Sequence, residues 1–246
     1  MKPSIIEIAE EEFYNEENNR IMHSKDAEVD TFINDLEKHP HAFLLACLMS
    51  RRIAAESAWK IPYEIYKILG TVDIHELGKK SLEDYTEIFE KNKLHRFNKE
   101  MAKVFYEAVQ RIIKRFNGDA SCIWKNKPSS AKVISELLQF YGCGLKIATM
   151  TANILVREFK IEFSDYSSIE ISTDVHIKRV MKRMGYVSKD ANNLVIVYKA
   201  RELNPEFPGI LDFACWEIGK KFCKSREPNC NGCKMRGECQ KLYKIK

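Results

Sequence analysis

Tyr141-Gly142-Cys143-Gly144-Leu145-Lys146 decides how the rest of the chain is read. On its N-terminal side Val133, Ile134, Leu137 and Leu138 recur at helical spacing, with Ser130 placed to cap them. On its C-terminal side Ile147, Met150, Ile154 and Leu155 repeat the pattern, and Ala148 and Ala152 allow close packing. Two glycines one residue apart let the backbone turn sharply where a side chain would clash. The stretch therefore predicts a helix-hairpin-helix. The free N–H groups and positive dipole end of its second helix would seat a phosphate on Gly142 and Gly144.

Two further blocks lie downstream. Ser172-Thr173-Asp174-Val175-His176-Ile177-Lys178-Arg179-Val180 places a carboxylate at a helix start. At the C-terminus Cys223, Cys230, Cys233 and Cys239 follow one another with six, two and five residues between them. Four thiolates this near in sequence suit zinc or an iron–sulfur cluster. Structural zinc favours two tight knuckles, and the wide outer loops favour the larger cluster. Hairpin, lysine, aspartate and cysteine ladder, in this order from about His39 to the end, resemble the endonuclease III branch of the helix-hairpin-helix DNA glycosylases.

That resemblance implies an all-α, two-lobed fold. Residues 41–160 would form a six-helix lobe carrying the hairpin, and residues 161–246 a lobe with Asp174 and the cluster. Residues 1–40 would be an acidic helical arm packed on the cluster lobe. The active cleft would lie between the lobes. It also implies a base-excision-repair glycosylase with an associated AP-lyase step, acting on a damaged or mismatched base flipped from duplex DNA. Lys146 would be the nucleophile, its proton affinity lowered by the helix start and a half-buried cleft. Asp174 would stabilise the developing sugar cation. Cys223, Cys230, Cys233 and Cys239 would hold a structural [4Fe–4S] cluster, with Lys224 and Arg226 of the intervening loop facing the DNA backbone. Arg52, in Ser50-Arg51-Arg52-Ile53, stands nearest the glutamine that the family inserts into the flipped-base gap. A second wedge would come from Leu94-His95-Arg96-Phe97. Tyr141 replaces a proline common in the family's hairpin. The alternatives are a monofunctional glycosylase, in which water attacks, and a non-catalytic iron–sulfur DNA-binding protein.

Composition agrees with this reading. The chain has 246 residues, 45% hydrophobic and 30% charged, with 10 Gly and 7 Pro, as an all-helical globular protein would. Net charge is +5, but it is unevenly placed. Residues 1–40 carry 4 basic and 11 acidic side chains, so the remainder carries +12, and from Ile218 to the end 9 basic residues face 2 acidic ones. A basic body fits a polyanion. Glu10-Glu11-Glu12 and Glu16-Glu17 make the N-terminal arm an unsuitable DNA contact. The longest apolar run, Phe43 to Met49, is too short to span a bilayer, and the acidic start lacks the features of a signal peptide. A monomer in the reducing cytoplasm is expected, where eight cysteines do not pair as disulfides. Cys47, Cys122, Cys143 and Cys215 are expected only to pack.

Overall fold

The computed structural model describes residues 4–15 and 23–242. Glu16 and Glu17 lie outside them. Among the described residues the regular structure is helical, with no strand. The chain divides into two compact units. One is formed by residues 1–19, 129–134 and 152–246, the other by residues 20–128 and 135–151.

The second unit is built on α3 (Pro40–Met49), all ten of whose residues are buried. Pro40 opens it, since a missing N–H costs nothing in a first helical turn. Around α3 pack α2 (Ala27–Ile33), α4 (Ala55–Leu69) and α7 (Asn98–Phe116). Helices α5 (Ile74–Gly78) and α6 (Leu82–Asn92) lie against α7. Phe43 meets Trp59 and Trp124 edge-on at 5.9 and 6.0 Å, and Tyr85 and Phe89 close on Phe105. Burial of each such ring contributes about 1.5–3 kcal/mol. The buried Tyr85 hydroxyl donates to the Leu77 carbonyl at 2.8 Å, so its polar end is satisfied.

A proline at position 62 would ordinarily separate two helices, yet α4 runs through it. The proline forfeits one backbone bond, while Trp59, Ile61, Tyr63 and Ile65 on either side are buried. Their burial outweighs the lost bond. Gly70 ends α4 in the left-handed conformation, and Asn117 with Gly118 ends α7 in the same way.

In the first unit, α1 (Ile5–Tyr14) lies on α12 (Leu211–Lys221) through Ile5, Ile8 and Ala9. Ser4 and Glu7 cap α1 reciprocally. The helix α10 (Val175–Met184) also packs on α12, burying Ile177, Val180, Met181 and Met184. Packing there is close: a Cβ on Gly219 would sit 2.7 Å from the Cβ of His176. The remaining helix, α11 (Asn193–Leu203), packs on the short turn Pro208–Ile210, whose Gly209 carbonyl accepts the amide of Asn153 at 2.5 Å.

The arm expected over residues 1–40 is thus divided: α1 joins α12, while α2 packs on α3 and α4. The reason is chemical. Phe32 of α2 stacks with Tyr66 and meets Tyr63 of α4, whereas Phe13 of α1 meets Phe207. The unit boundary also falls inside α8 (Ser130–Leu138) and α9 (Leu145–Arg157), the helices on either side of the hairpin.

Candidate functional site

The hairpin forms as its glycines predict. After α8 the backbone tightens through Phe140 N–H to Leu137 and Cys143 N–H to Phe140, at 3.1 and 3.0 Å. Gly142 turns with φ +78°, and a Cβ there would lie 2.8 Å from Cγ2 of Val104. Gly144 has no atom within 4 Å of such a position, and its carbonyl accepts Ile147 and Ala148 N–H to start α9. Glycine at 144 therefore keeps open space, while glycine at 142 keeps the turn. The first N–H groups of α9 have no partner within the helix. Burial pushes the Cys143 thiol up to about 12, which leaves it a neutral packing group. Exposed Tyr141 carries the Lys103 ammonium 4.8 Å above its ring.

Ser130 does not cap α8. Ser129 does, accepting Lys132 N–H at 3.2 Å, while the Ser130 hydroxyl donates to Asp165 and accepts Ser168 N–H. The buried hydroxyl is better used to hold the 165–168 loop than to repeat a cap already made. Lys146, the second residue of α9, is exposed rather than half-buried. It lies on the outer side of the first turn, where Ile147 and Ala148 take the buried positions.

Both segments expected to supply wedges meet in the same unit. Phe97 lies under two guanidinium groups, Arg52 at 5.9 Å and Arg96 at 5.5 Å from its ring centre. Arg52 is held with φ +59°, a conformation that costs a non-glycine residue energy, and Arg51 pairs with Glu100 at 2.7 Å. His95 is buried and accepts Phe97 N–H on Nδ1 at 3.0 Å; burial lowers its proton affinity. The result is an exposed cationic edge, Arg52 and Arg96, on an aromatic base. Trp59 and Tyr63, by contrast, are core: Trp59 stacks on His23 at 4.1 Å and the Tyr63 hydroxyl donates to Glu28.

Asp174 caps α10 in the other unit, its Oδ1 accepting Ile177 N–H at 2.8 Å. Among the described residues its second oxygen has no hydrogen-bond partner, so capping leaves half the carboxylate free. Two residues earlier, Ser172 N–H donates to Asp212 of α12 at 2.5 Å. Sequence reasoning missed Asp212, although a single carboxylate between Leu211 and Phe213-Ala214-Cys215 was a visible irregularity.

Cys223, Cys230, Cys233 and Cys239 line one cavity together with Met184, Ile218, Phe222 and Met235. Burial, and then the neighbouring thiols, push Cys233 and Cys239 up. Among the described residues no three His, Cys, Asp or Glu side chains converge closely enough for one metal ion. Arginines at i and i+4 on α10 brace the loop, a second feature that sequence reasoning missed. Arg179 donates from Nε to the Cys223 carbonyl at 2.6 Å. Arg183 donates to the carbonyls of Lys224 and Ser225 at 2.6 and 2.8 Å, and lies 3.6 Å from the Cys223 sulfur. Lys224 and Arg226 keep their side chains exposed.

No family model matches the chain. Endonuclease III of Thermotoga maritima is 22% identical over 207 residues, spanning 84% of this chain and 85% of the relative. Endonuclease III of Rickettsia prowazekii is 26% identical over 208 residues, spanning 82% and 84%. Among solved structures, a trapped endonuclease III–DNA covalent intermediate superposes with a TM-score of 0.60 at 17% identity, covering 91% of this chain and 99% of that one. The chain therefore shares the fold of these endonuclease III structures and is similar in sequence to endonuclease III over most of both chains.

Proposed function

We propose that the chain is a base-excision DNA glycosylase with an AP-lyase step, and that Lys146 and Asp174 carry its chemistry. The observation that supports this most is the pairing of two residue types. An exposed lysine opens the helix after a Gly-Cys-Gly turn, and an aspartate with one free oxygen caps α10, on an endonuclease III-like fold. A DNA-binding module needs neither.

A modified or mismatched base leaves the stack, and Arg52 with the Phe97 edge fills the gap. The Lys146 amine, its proton passed to a carboxylate, attacks C1′ as the bond to the base breaks and the base departs with the electron pair. Asp174 opposes the positive charge that builds on the sugar. The aminal so formed opens as its C1′–O4′ bond breaks and O4′ takes up a proton, leaving an imine; the imine loses a C2′ proton, the C3′–oxygen bond breaks with the phosphate as leaving group, and the strand is nicked. Gly144 and the first N–H groups of α9 receive a backbone phosphate, with Gly142 shaping the turn; Lys224 and Arg226 add phosphate contacts. The covalent endonuclease III–DNA complex among the solved structures is what such chemistry would leave when trapped.

The cysteine loop fits a [4Fe–4S] cluster better than zinc. Its four cysteines line one cavity, and the outer loops of six and five residues are wider than the tight knuckles that structural zinc favours. Cys223, Cys230, Cys233 and Cys239 would hold it, and the donors from Arg183 and from Lys241 N–H, 3.4 Å from the Cys239 sulfur, suit thiolate ligands. The cluster, when bound, would hold the Lys224–Arg226 loop in shape and take no part in the reaction. No helix among the described residues is long and apolar enough to cross a membrane. The expected setting for a DNA-repair enzyme is the cytoplasm, at the nucleoid if the source is prokaryotic, with the protein acting as a monomer.

Borohydride trapping on a panel of lesion duplexes tests the reading. Wild-type protein should form a permanent crosslink and nick the strand, and Lys146→Ala should do neither. Base release without any trapped complex would make the enzyme monofunctional.

A further inference from the structure

Asp212 stands in a setting that suits an apolar residue. It is the second residue of α12, with Leu211 and Ala214 buried beside it, and only part of its surface reaches solvent. Among the described residues its hydrogen-bond donor is neutral: Ser172, on the segment that reaches Asp174 two residues later. The charged and titratable groups facing it are Asp174 at the start of α10, Arg157 at the end of α9, and the Cys215 thiol of its own helix, with Glu12 of α1 beyond Cys215. Arg157 gives it little, because its guanidinium lies over the Phe213 ring at 3.9 Å and donates to Glu158. A carboxylate buried beside a second carboxylate, without a committed cation, costs the fold energy. Burial first, and Asp174 after it, push Asp212 up to about 6. Groups held at such cost beside a reactive carboxylate point to function.

We propose that Asp212 is a positioning residue for Asp174: it fixes the extended Ser172–Asp174 segment through the Ser172 amide, and its carboxylate sets a second negative charge near Asp174. The proposal rests on the glycosylase reading above. As the bond from C1′ to the base breaks, its electron pair leaves with the base and positive charge collects on the sugar. Asp174 faces that charge directly, and Asp212 adds to the field without touching substrate or accepting its proton.

The test is single-turnover base release between pH 5 and 8.5 from duplexes carrying oxidised pyrimidine, uracil, mismatched thymine, 8-oxoguanine or alkylated purine. Wild type, Asp212→Asn and Asp174→Asn are compared, with melting temperatures taken at pH 8. Asparagine keeps the acceptor for Ser172 and removes only the charge. The wild-type rate should climb through about pH 6 as Asp212 ionises. Asp212→Asn should lose that limb and on the order of tenfold of the plateau, the effect of one nearby charge in a partly solvated site. A raised carboxyl ionises at the folded state's expense as pH rises through its window, so the variant should melt at or above the wild-type temperature at pH 8. A purely structural residue would show the reverse: lower melting and an unmoved pH limb. Base release by wild type with an unchanged Asp212→Asn profile overturns this proposal alone. A wild-type profile without a limb near pH 6 overturns it even where the variant does not fold. No base release by wild type from any duplex overturns the glycosylase reading and this proposal with it.

Discussion

Alanine at Gly142 should cost more folding stability than alanine at Gly144. Gly142 sits at φ +78°, where an L-residue pays about 1–2 kcal/mol. The new Cβ would also stand 2.8 Å from Cγ2 of Val104, a residue of α7 that is 1% exposed and cannot move into solvent. Forcing a methyl into such a space costs about 1–3 kcal/mol. Since the turn and the valine share the strain, the total should be about 2–4 kcal/mol. At roughly 2–4 °C per kcal/mol for a chain of this size, thermal melting should fall by roughly 4–16 °C. Gly144 has ordinary φ and no atom within 4 Å, so Gly144→Ala should lose only about 1 kcal/mol, the difference between glycine and alanine as an N-cap. In a Val104→Ala background the penalty at Gly142 should shrink, giving a coupling of about 1–2 kcal/mol in a double-mutant cycle. Gly142→Ala melting within about 2 °C of wild type would refute the packing argument. On binding, the order should invert: a bulky residue at Gly144 should weaken affinity for damaged and undamaged duplex alike while melting stays near wild type.

Asp174→Asn keeps the cap on α10, because asparagine caps as well as aspartate; it should fold and bind DNA normally, yet release base on the order of 10²–10³ more slowly in single-turnover assays. Anaerobically purified protein should be yellow-brown and contain iron and sulfide. Cys223→Ser should lose the colour and Cys143→Ser should keep it, and a colourless preparation with one zinc would remove the cluster. Replacing Lys224 or Arg226 with alanine should lower the salt dependence of DNA affinity by up to ~0.9 in the log–log slope for each phosphate no longer neutralised; unchanged slopes for both would take that loop out of the interface.

What the sequence made legible was local in origin. The Gly142–Gly144 turn and the Asp174 cap each follow from backbone preferences of the residues themselves, and each is found where expected. What it hid depended on partners distant in the chain. Pro62 reads as a break until the neighbouring Trp59 and Ile65 are seen to be buried, and Ser130 reads as a cap until Asp165 and Ser168 claim its hydroxyl. The acidic arm reads as one piece because charge says nothing about which aromatic ring will receive Phe13 and which Phe32. Arg183 and Asp212 were passed over for the same reason. Neither belongs to a motif, and their roles arise from residues about forty positions away.

The two proposed reacting groups share one structural logic, which explains why they were the easier ones to find. Each stands at the start of a helix, Lys146 as the second residue of α9 and Asp174 as the cap of α10. A helix start fixes its residues by backbone geometry, so neither side chain needs a tailored pocket to be aimed. Asp174 spends one oxygen on Ile177 N–H and keeps the other, while Asp212 holds the extended segment before it through Ser172 N–H. Positioning is thus delegated to secondary structure, which sequence encodes within a few residues. Tuning is delegated to packing, which it does not. Substitutions that spare the caps should therefore preserve the place of the chemistry, whereas changes at Asp212 should alter its strength and pH range without moving it.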